Sequence, residues 1–298
     1  MKPARGLVDT GNTCFLNATL QCLLAIEEIR KTKDTKRKAR TTQDRLSICI
    51  MELQKTAPAY MPSHLIQHIP HLIHFMKGEE ADAHEFLIAV INKMSKTTKT
   101  LFQIWMTSEV KCSTCGGTIT RSDTMQDISL QIKKAMNLTV EDSLQDFFKP
   151  ETLESDNTYQ CEKCDKKVSA TEPLSVTQAL TILMIHLERL ILGQQILTHT
   201  AVDTNLDLGP HMTQGHAKPQ TTQLVGLISH HGPLNGSGHY TAVTKKEETW
   251  TLFDDNSATT IFTRRVLQAQ AYNNDDCFYY QTWRNNVVIA LELSRLLY

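Results

Sequence analysis

Two cysteine pairs constrain the middle of this chain more than any other feature. CSTC (Cys112, Cys115) and CEKC (Cys161, Cys164) stand with residues 116–160 between them. Each pair puts two thiols on one tight turn, so both can reach one ion. Two such turns complete a tetrahedral four-sulfur site, the set that zinc favours. Free thiols on two unconnected turns, or a redox CxxC, are the alternatives, and the second copy argues against redox. With all four positions taken by cysteine, none is open for catalysis, so the expected zinc is structural. The long spacer predicts that the metal pins the end of an extended hairpin.

A chain of 298 residues is long enough for one large domain or two small ones, with a core that needs no disulfide scaffold. The net charge of −1 gives no electrostatic case for nucleic acid or membrane as a partner. The basic run Lys31 to Arg40 has no interleaved aromatics and is expected to be a solvated loop. Met1 to Asp9 lack an apolar core segment, so no signal peptide is expected. No apolar run approaches the roughly 20 residues that span a bilayer. The eight cysteines are therefore expected to be reduced, in the cytoplasm or nucleus, where closely spaced cysteines suggest metal or catalysis.

Periodicity divides the chain. Leu16, Leu20, Leu23 and Leu24 fall on one helix face, as do Leu46, Cys49, Ile50 and Leu53, and again Leu87, Val90, Ile91 and Met94. Thr139 and Asp142 stand at capping-box spacing before Leu144, Phe147 and Phe148, which predicts a short helix. Later segments change character. Ala179 to Leu187 reads as a buried strand, and QLVGLISHH, GHYTAVT, TWTLFDD and CFYYQ read as short strands between turns. Helices first and strands afterwards predict an α+β fold rather than alternating βαβ units.

Cys14 opens the first helical pattern, where unpaired N–H groups and the helix dipole stabilise a thiolate. Taken alone it is equally a small buried residue, and Cys22 reads as core. His239 follows the turn-rich run LNGSG at the start of a strand, with Gly236 and Gly238 sparing its ring from bulk. A lone histidine there is commonly structural. Asp254 and Asp255 end the next strand, and a hairpin brings that end beside His239. A carboxylate on Nδ1 with Nε2 facing a thiol is the arrangement expected of a Cys–His–Asp acyl-transfer site. His64, His68, His71 and His74 have roughly helical spacing, but Pro62 and Pro70 interrupt any regular helix, so no metal face is expected there.

These segments together resemble the ubiquitin-specific proteases. GLVDTGNTCFLNATLQCL is similar to that family's cysteine box, and EEADAHEFL to the helix motif that follows. The two CxxC pairs resemble its zinc-holding fingers, and LTILMIHLERL the strand after them. LVGLISHHGPLNGSGHYTAV and WTLFDDNSA resemble its histidine box and following carboxylate, and AYNNDDCFYYQ its closing strand. The resemblance runs in the family's order from about Gly6 to Gln281. It implies a papain-like α+β fold in one catalytic domain over 1–282. The thumb would span about 6–95, the fingers about 96–178 and the palm about 179–282. It implies Cys14 as nucleophile, His239 as general base and Asp254, in preference to Asp255, as the orienting acid. Cys112, Cys115, Cys161 and Cys164 would hold one zinc. The implied partners are ubiquitin and ubiquitinated proteins, cleaved after the Gly–Gly end of ubiquitin. A weak or inactive ubiquitin-binding scaffold, or a protease for another Gly–Gly modifier, is the alternative.

Three departures stand against the family pattern. Asp9 occupies the place of an asparagine whose amide helps stabilise the oxyanion, and an ionised carboxylate there repels the developing charge. Glu80 and Ala81 replace glutamines ahead of Asp82. Glu188 and Leu190 stand in a segment that usually reads Lys-Arg-Phe. Residues 283–298 lie beyond the resemblance, and Val288, Leu291 and Leu296 suggest a helix face that packs on the domain or takes a partner.

Overall fold

A computed structural model of the chain describes residues 4–31, 40–55, 57–74, 79–134, 138–153, 158–178, 181–188, 190–191, 194–196, 198, 200–213, 221–232, 238–269, 275–276, 278–282 and 287–293. Three main helices come first: α1 (Cys14–Ala25), α2 (Thr42–Leu53) and α3 (Ala83–Asn92). Local chemistry starts them. Thr41 and Asp44 form a reciprocal capping box at α2, and the Asp82 side chain accepts from the Glu85 N–H at α3. The box foreseen at Thr139 and Asp142 opens α4 (Val140–Phe147).

Helix α1 is not the one-faced helix its leucines predict. Every residue from Cys14 to Leu23 is buried. A helix enclosed on all sides must satisfy its polar side chains within the protein. Here Asn17 donates to Asp255 Oδ1 at 2.9 Å, Gln21 to the Arg5 carbonyl at 3.0 Å and Thr19 to the Ala83 carbonyl at 3.5 Å. Phe15 meets Phe86 of α3 edge to face, with ring centroids 5.3 Å apart.

The strands follow. β1 (Ile104–Cys112) and β2 (Thr118–Met125) form a hairpin with its tip at the first cysteine pair. Strands at Glu151–Leu153, Ala170–Glu172 and Leu174–Val176 complete that sheet. The larger sheet contains β3 (Ile128–Gln131), β4 (Ile182–Glu188), β5 (Thr221–His231), β6 (His239–Lys246), β7 (Thr249–Asp254), β8 (Ser257–Ile261), β9 (Phe278–Thr282) and β10 (Val287–Leu293). Its order is β8-β7-β6-β5-β9-β10-β4-β3. Ile182 to Leu187 are buried without alternation, as expected of a strand covered on both faces. The architecture is mixed α+β, helices leading and strands following. Helix α1 packs on β5 and β6, which carries its first residue to the hairpin that bears His239.

The tail departs from expectation. Val287–Leu293 is a strand, not a helix, and pairs parallel to β4. Consecutive β-branched Val287, Val288 and Ile289 favour an extended chain over a helix. Leu296 lies outside the described residues, as do residues 32–39 of the basic run and Gly236. His68 hydrogen-bonds Thr42 at 3.1 Å, and the chain around it breaks into one helical turn and a 3₁₀ turn. No helix among the described residues is long and apolar enough to cross a membrane.

The amino-terminal segment locks onto the turn between β7 and β8. Leu7 N–H donates to the Asp255 carbonyl at 2.8 Å, and Tyr60 N–H to the Gly6 carbonyl at 3.0 Å. A Cβ on Gly6 would stand 2.4 Å from the Asn256 carbonyl carbon and oxygen, which are backbone and cannot swing away. We expect Gly6→Ala to destabilise the fold by about 1–3 kcal/mol, read as a lower urea midpoint. An unchanged midpoint contradicts this packing.

Candidate active site and cysteine cluster

The loop before α1 is organised by one carboxylate. Gly11 (φ 100°) and Asn12 (φ 54°) reverse the chain into the helix. Asp9 Oδ1 accepts from Thr13 N–H at 2.8 Å, Thr13 Oγ1 at 2.7 Å and Gly11 N–H at 3.2 Å. Burial pushes its carboxyl up, but the Thr13 hydroxyl and the two N–H groups outweigh that, with a smaller pull from His239. The carboxyl sits below its ordinary range. Asp9 is therefore ionised at the amino end of α1, where a negative charge suits the helix dipole. Cys14, the first residue of α1, is buried.

His239 opens β6 on the opposite wall. Cys14 is its neighbour across the site and the strongest influence raising its proton affinity. Its Nε2 lies 2.7 Å from Asp254 Oδ1. The ring orientation is the reverse of the one expected from sequence: Nε2 meets the carboxylate, which leaves Nδ1 for the sulfur. Strand register explains this. Ala242 pairs with Phe253, so Asp254 stands opposite Thr241, two residues along from His239. From that offset the carboxylate meets the outer ring nitrogen. Cys14 raises the imidazole pKa; burial opposes this, and Asp254 and Asp255 add to the rise, to about 9.

Asp255 has a separate position. It sits in the turn after β7 with φ 47°. Its Oδ2 is 3.9 Å from His239 Nε2, against 2.7 Å for Asp254, while its Oδ1 is taken by Asn17. Burial pushes the Asp255 carboxyl up against the pull of Asn17 and His239. Of the two carboxylates, Asp254 is the nearer to the ring. Cys22 is core, its thiol 3.6 Å from the Leu227 carbonyl.

Two contacts were not foreseen. Asn17 holds Asp255, although its place three residues after Cys14 puts it on the same helix face. Glu80, noticed only as a departure, receives the Gly238 N–H on Oε2 at 2.9 Å and meets His230 Nε2 through Oε1 at 3.0 Å. The bulk that Gly238 spares is that of His230, not His239: a Cβ there would stand 1.7 Å from His230 Nε2.

The two CxxC turns meet as expected. Cys112 and Cys164 sulfurs lie 3.9 Å apart, and those of Cys115 and Cys161 3.6 Å. The turns are built alike. Gly116 and Asp165, each four residues after the first cysteine of its pair, have φ 65° and 51° and donate N–H to that cysteine's carbonyl. Gly117 N–H points at Cys115 Sγ at 3.4 Å. The four can hold one metal ion. Another group, His84, Asp127 and His186, cannot do so as arranged. Its two rings are stacked with centroids 4.3 Å apart and planes 19° from parallel, whereas ring lone pairs lie in the ring plane and must converge on an ion. Ser129 instead joins Asp127 and His186, at 3.0 Å to each.

Comparison with known proteins identifies the family. Residues 5–273 match the family model described as ubiquitin carboxyl-terminal hydrolase. The chain is similar to ubiquitin carboxyl-terminal hydrolase 17-like protein 10 of Homo sapiens, 30% identical over 290 residues, with 90% of this chain and 54% of the relative covered. Its likeness to 17-like protein 6 of Homo sapiens is 30% over 290 residues, covering 90% of this chain and 72% of that relative. The chain thus spans about half the length of the first of these. The match over most of its length makes this chain a member of the ubiquitin carboxyl-terminal hydrolase family.

Proposed function

We propose that the chain is a thiol-dependent deubiquitinase domain, with Cys14 as nucleophile, His239 as acid and base, and Asp254 as the group that orients the ring. The supporting observation is the junction of three elements: a thiol at a helix start, an imidazole whose proton affinity that thiol raises, and a carboxylate 2.7 Å from the ring's Nε2. An imidazolium beside a cysteine at a helix amino terminus is the setting in which the thiol reacts as thiolate. The substrate is the carbonyl of ubiquitin's terminal glycine, joined to a lysine amine. Cys14 Sγ bonds the carbonyl carbon, and the C–N bond breaks as His239 gives the leaving amine its proton. Water then attacks the thioester carbon as His239 takes its proton; the C–S bond breaks, Cys14 returns as thiolate beside the imidazolium, and the freed carboxylate leaves. On this reading the chain's partners are ubiquitin and ubiquitinated proteins. Residues of about 6–95, 96–178 and 179–282 act as thumb, fingers and palm of one papain-like domain.

The cysteine cluster is proposed as a structural zinc site of Cys112, Cys115, Cys161 and Cys164. Four sulfurs about 2.3 Å from a tetrahedral zinc stand about 3.8 Å apart, and the two separations above bracket that value. Bound zinc would cross-link the β1–β2 tip to the Cys161 turn and, with four thiolates, take no part in the reaction. Both sites need reduced sulfur to work as proposed, which fits the cytoplasm or nucleus.

Asp9 favours a second reading, a weak enzyme or a ubiquitin-binding scaffold. Its charge faces the region where an oxyanion forms, and removing one oxyanion donor costs on the order of 10²–10³ in rate. All three of its loop bonds fall on Oδ1. An asparagine can keep them with its amide oxygen and offer an N–H₂ donor in place of the other oxygen. We expect Asp9→Asn to raise turnover of a ubiquitin–fluorophore substrate by about tenfold or more. Equal or lower turnover would remove Asp9 from the account of the rate.

A ubiquitin probe with a thiol-reactive carboxyl end tests the main reading. Wild-type protein is expected to form a covalent adduct, and Cys14→Ala none. Folded wild type that forms no adduct leaves the scaffold reading. The pH profile adds a sign. His239 keeps its proton through neutrality and loses it as pH rises through about 9, so labelling is expected to decline there. Asp254→Asn removes a group that raises this pKa, so the decline should move to lower pH. A decline that stays in place contradicts the role of Asp254.

Metal content tests the cluster. One zinc per chain is expected by elemental analysis, and substantially less in Cys161→Ser, with a lower melting temperature. Wild-type zinc in that variant would falsify the four-cysteine assignment.

A further inference from the structure

Thiol and imidazole reach each other from different elements, Cys14 on α1 and His239 on β6. The ladder between β5 and β6 ends at the pair His231–His239, so the backbone just before His239 lacks a strand partner. Glu80 lies at that end. It stands two residues before Asp82, the cap of α3, and α3 is packed on α1 through Phe15 and Phe86. Its carboxylate spans the gap. Oε2 takes the Gly238 N–H at 2.9 Å, and Oε1 meets His230 Nε2 at 3.0 Å. His230 is itself buried against Tyr240, the residue that follows His239, with ring centroids 4.6 Å apart. Glu80 thus grips both strands of the hairpin from the helical side, one bond away from the backbone of the imidazole. The side chain absent at Gly238 makes room for it: Glu80 Oε1 would lie 2.7 Å from a Cβ there.

We propose that Glu80 is a positioning residue for His239: with His230 it fixes the Gly238 backbone and so sets the imidazole at its distance from Cys14. It touches neither the reacting carbonyl nor the sulfur. The proposal rests on the deubiquitinase reading. The titratable groups facing Glu80 are His230 from β5 and, at longer range, His239 from β6; burial pushes its carboxyl up, and the bonds from His230 and Gly238 outweigh that. The chain therefore has an ionised clamp at a position where the resembling family has glutamine. A glutamine retains both contacts, its carbonyl oxygen accepting the Gly238 N–H and its amide donating to His230 Nε2 once that neutral ring carries its proton on Nδ1. The clamp's geometry, and not its charge, should therefore govern the rate.

The test uses the full chain and a ubiquitin–fluorophore substrate. Glu80→Ala is expected to lower kcat by about tenfold or more, since a misplacement of about 1 Å at a catalytic group can cost on the order of 10²-fold. KM should stay within about twofold of wild type, because remote binding is untouched. Glu80→Gln should restore kcat to within about threefold of wild type. Should Glu80→Ala fail to fold, as read by its melting curve, Glu80→Asp takes its place. Its carboxylate is one methylene short of both partners, and the same loss in kcat is expected. Wild-type kcat in the shortened variant overturns the proposal, and so does an equal loss in Glu80→Gln, which assigns the effect to charge. An inactive wild type that forms no adduct with the reactive ubiquitin probe overturns the deubiquitinase reading instead. That outcome is distinct, because it appears before any substitution at Glu80.

Discussion

Helix α1 has no face left for water, and this enclosure underlies the rest of the molecule. A helix buried all round gains packing on every side, but each polar side chain on it must find a fixed partner or cost about 1–3 kcal/mol as an unpaired group. Asn17, Thr19 and Gln21 turn that demand into orientation. They bind the β7–β8 turn, the start of α3 and the amino-terminal segment respectively. Three unrelated stretches are thereby referred to one helix axis. Rotating α1 by one residue would break all three bonds and bury their atoms unpaired. The position of Cys14, at the end of that axis, follows from bonds made at residues 17 to 21.

Charge around the site is one-sided. Asp9, Glu80, Asp254 and Asp255 surround His239, and each either bonds it or acts on it through space. Asp254 and Asp255 help to keep the imidazole protonated. The same carboxylates work against an oxyanion formed a few ångströms away. The two demands conflict because they concern charges of the same sign in one small volume. A neutral amide at position 9 would relieve the second demand without removing the first. Asp255 shows how near the limit the arrangement lies: burial and its fellow carboxylates already push its proton affinity up.

What could be read from the residues followed the range of the physics involved. Capping at Thr139 and the strand at Ile182–Glu188 depend on neighbours in sequence, and both were legible. So were the two CxxC turns, because metal-ligand spacing is short and repeated. The resemblance brought Cys14, His239 and Asp254 together, which spacing alone left open. The ring orientation was not legible, since it depends on a two-residue offset between β6 and β7. The clamp at Glu80 was missed for a related reason: its partners His230 and Gly238 are some 150 positions away, and no local pattern marks them. Helix α1 was misread as one-faced because its polar residues look solvent-facing until their distant partners are known. The terminal Val287–Leu293 was misread as helix because three apolar positions were counted and the β-branched run was not.

The two halves of the molecule are held by different means. The catalytic side belongs to one continuous core that runs from Leu7 through α1 and α3 to Val266. The far end of β1 instead enters a separate cluster of Val110, Cys112, Tyr159, Cys161 and Ala170. Five buried residues, two of them cysteines, remove little apolar surface from water, far less than ordering the surrounding strands requires. Metal–sulfur bonds at the four cysteines would supply what that cluster lacks. The strand β1 is common to both regions, with Ile104 and Met106 in the large core and Val110 and Cys112 in the small one. The tip therefore connects to the body of the protein through the β1–β2 pair and through Leu174–Val176, which pairs with β1 and buries Val176 in the large core. The thiol–imidazole junction lies outside that path. On the proposed zinc reading, loss of the metal would change the reach and shape of the hairpin, while Cys14 stays held by α1 and its three polar ties.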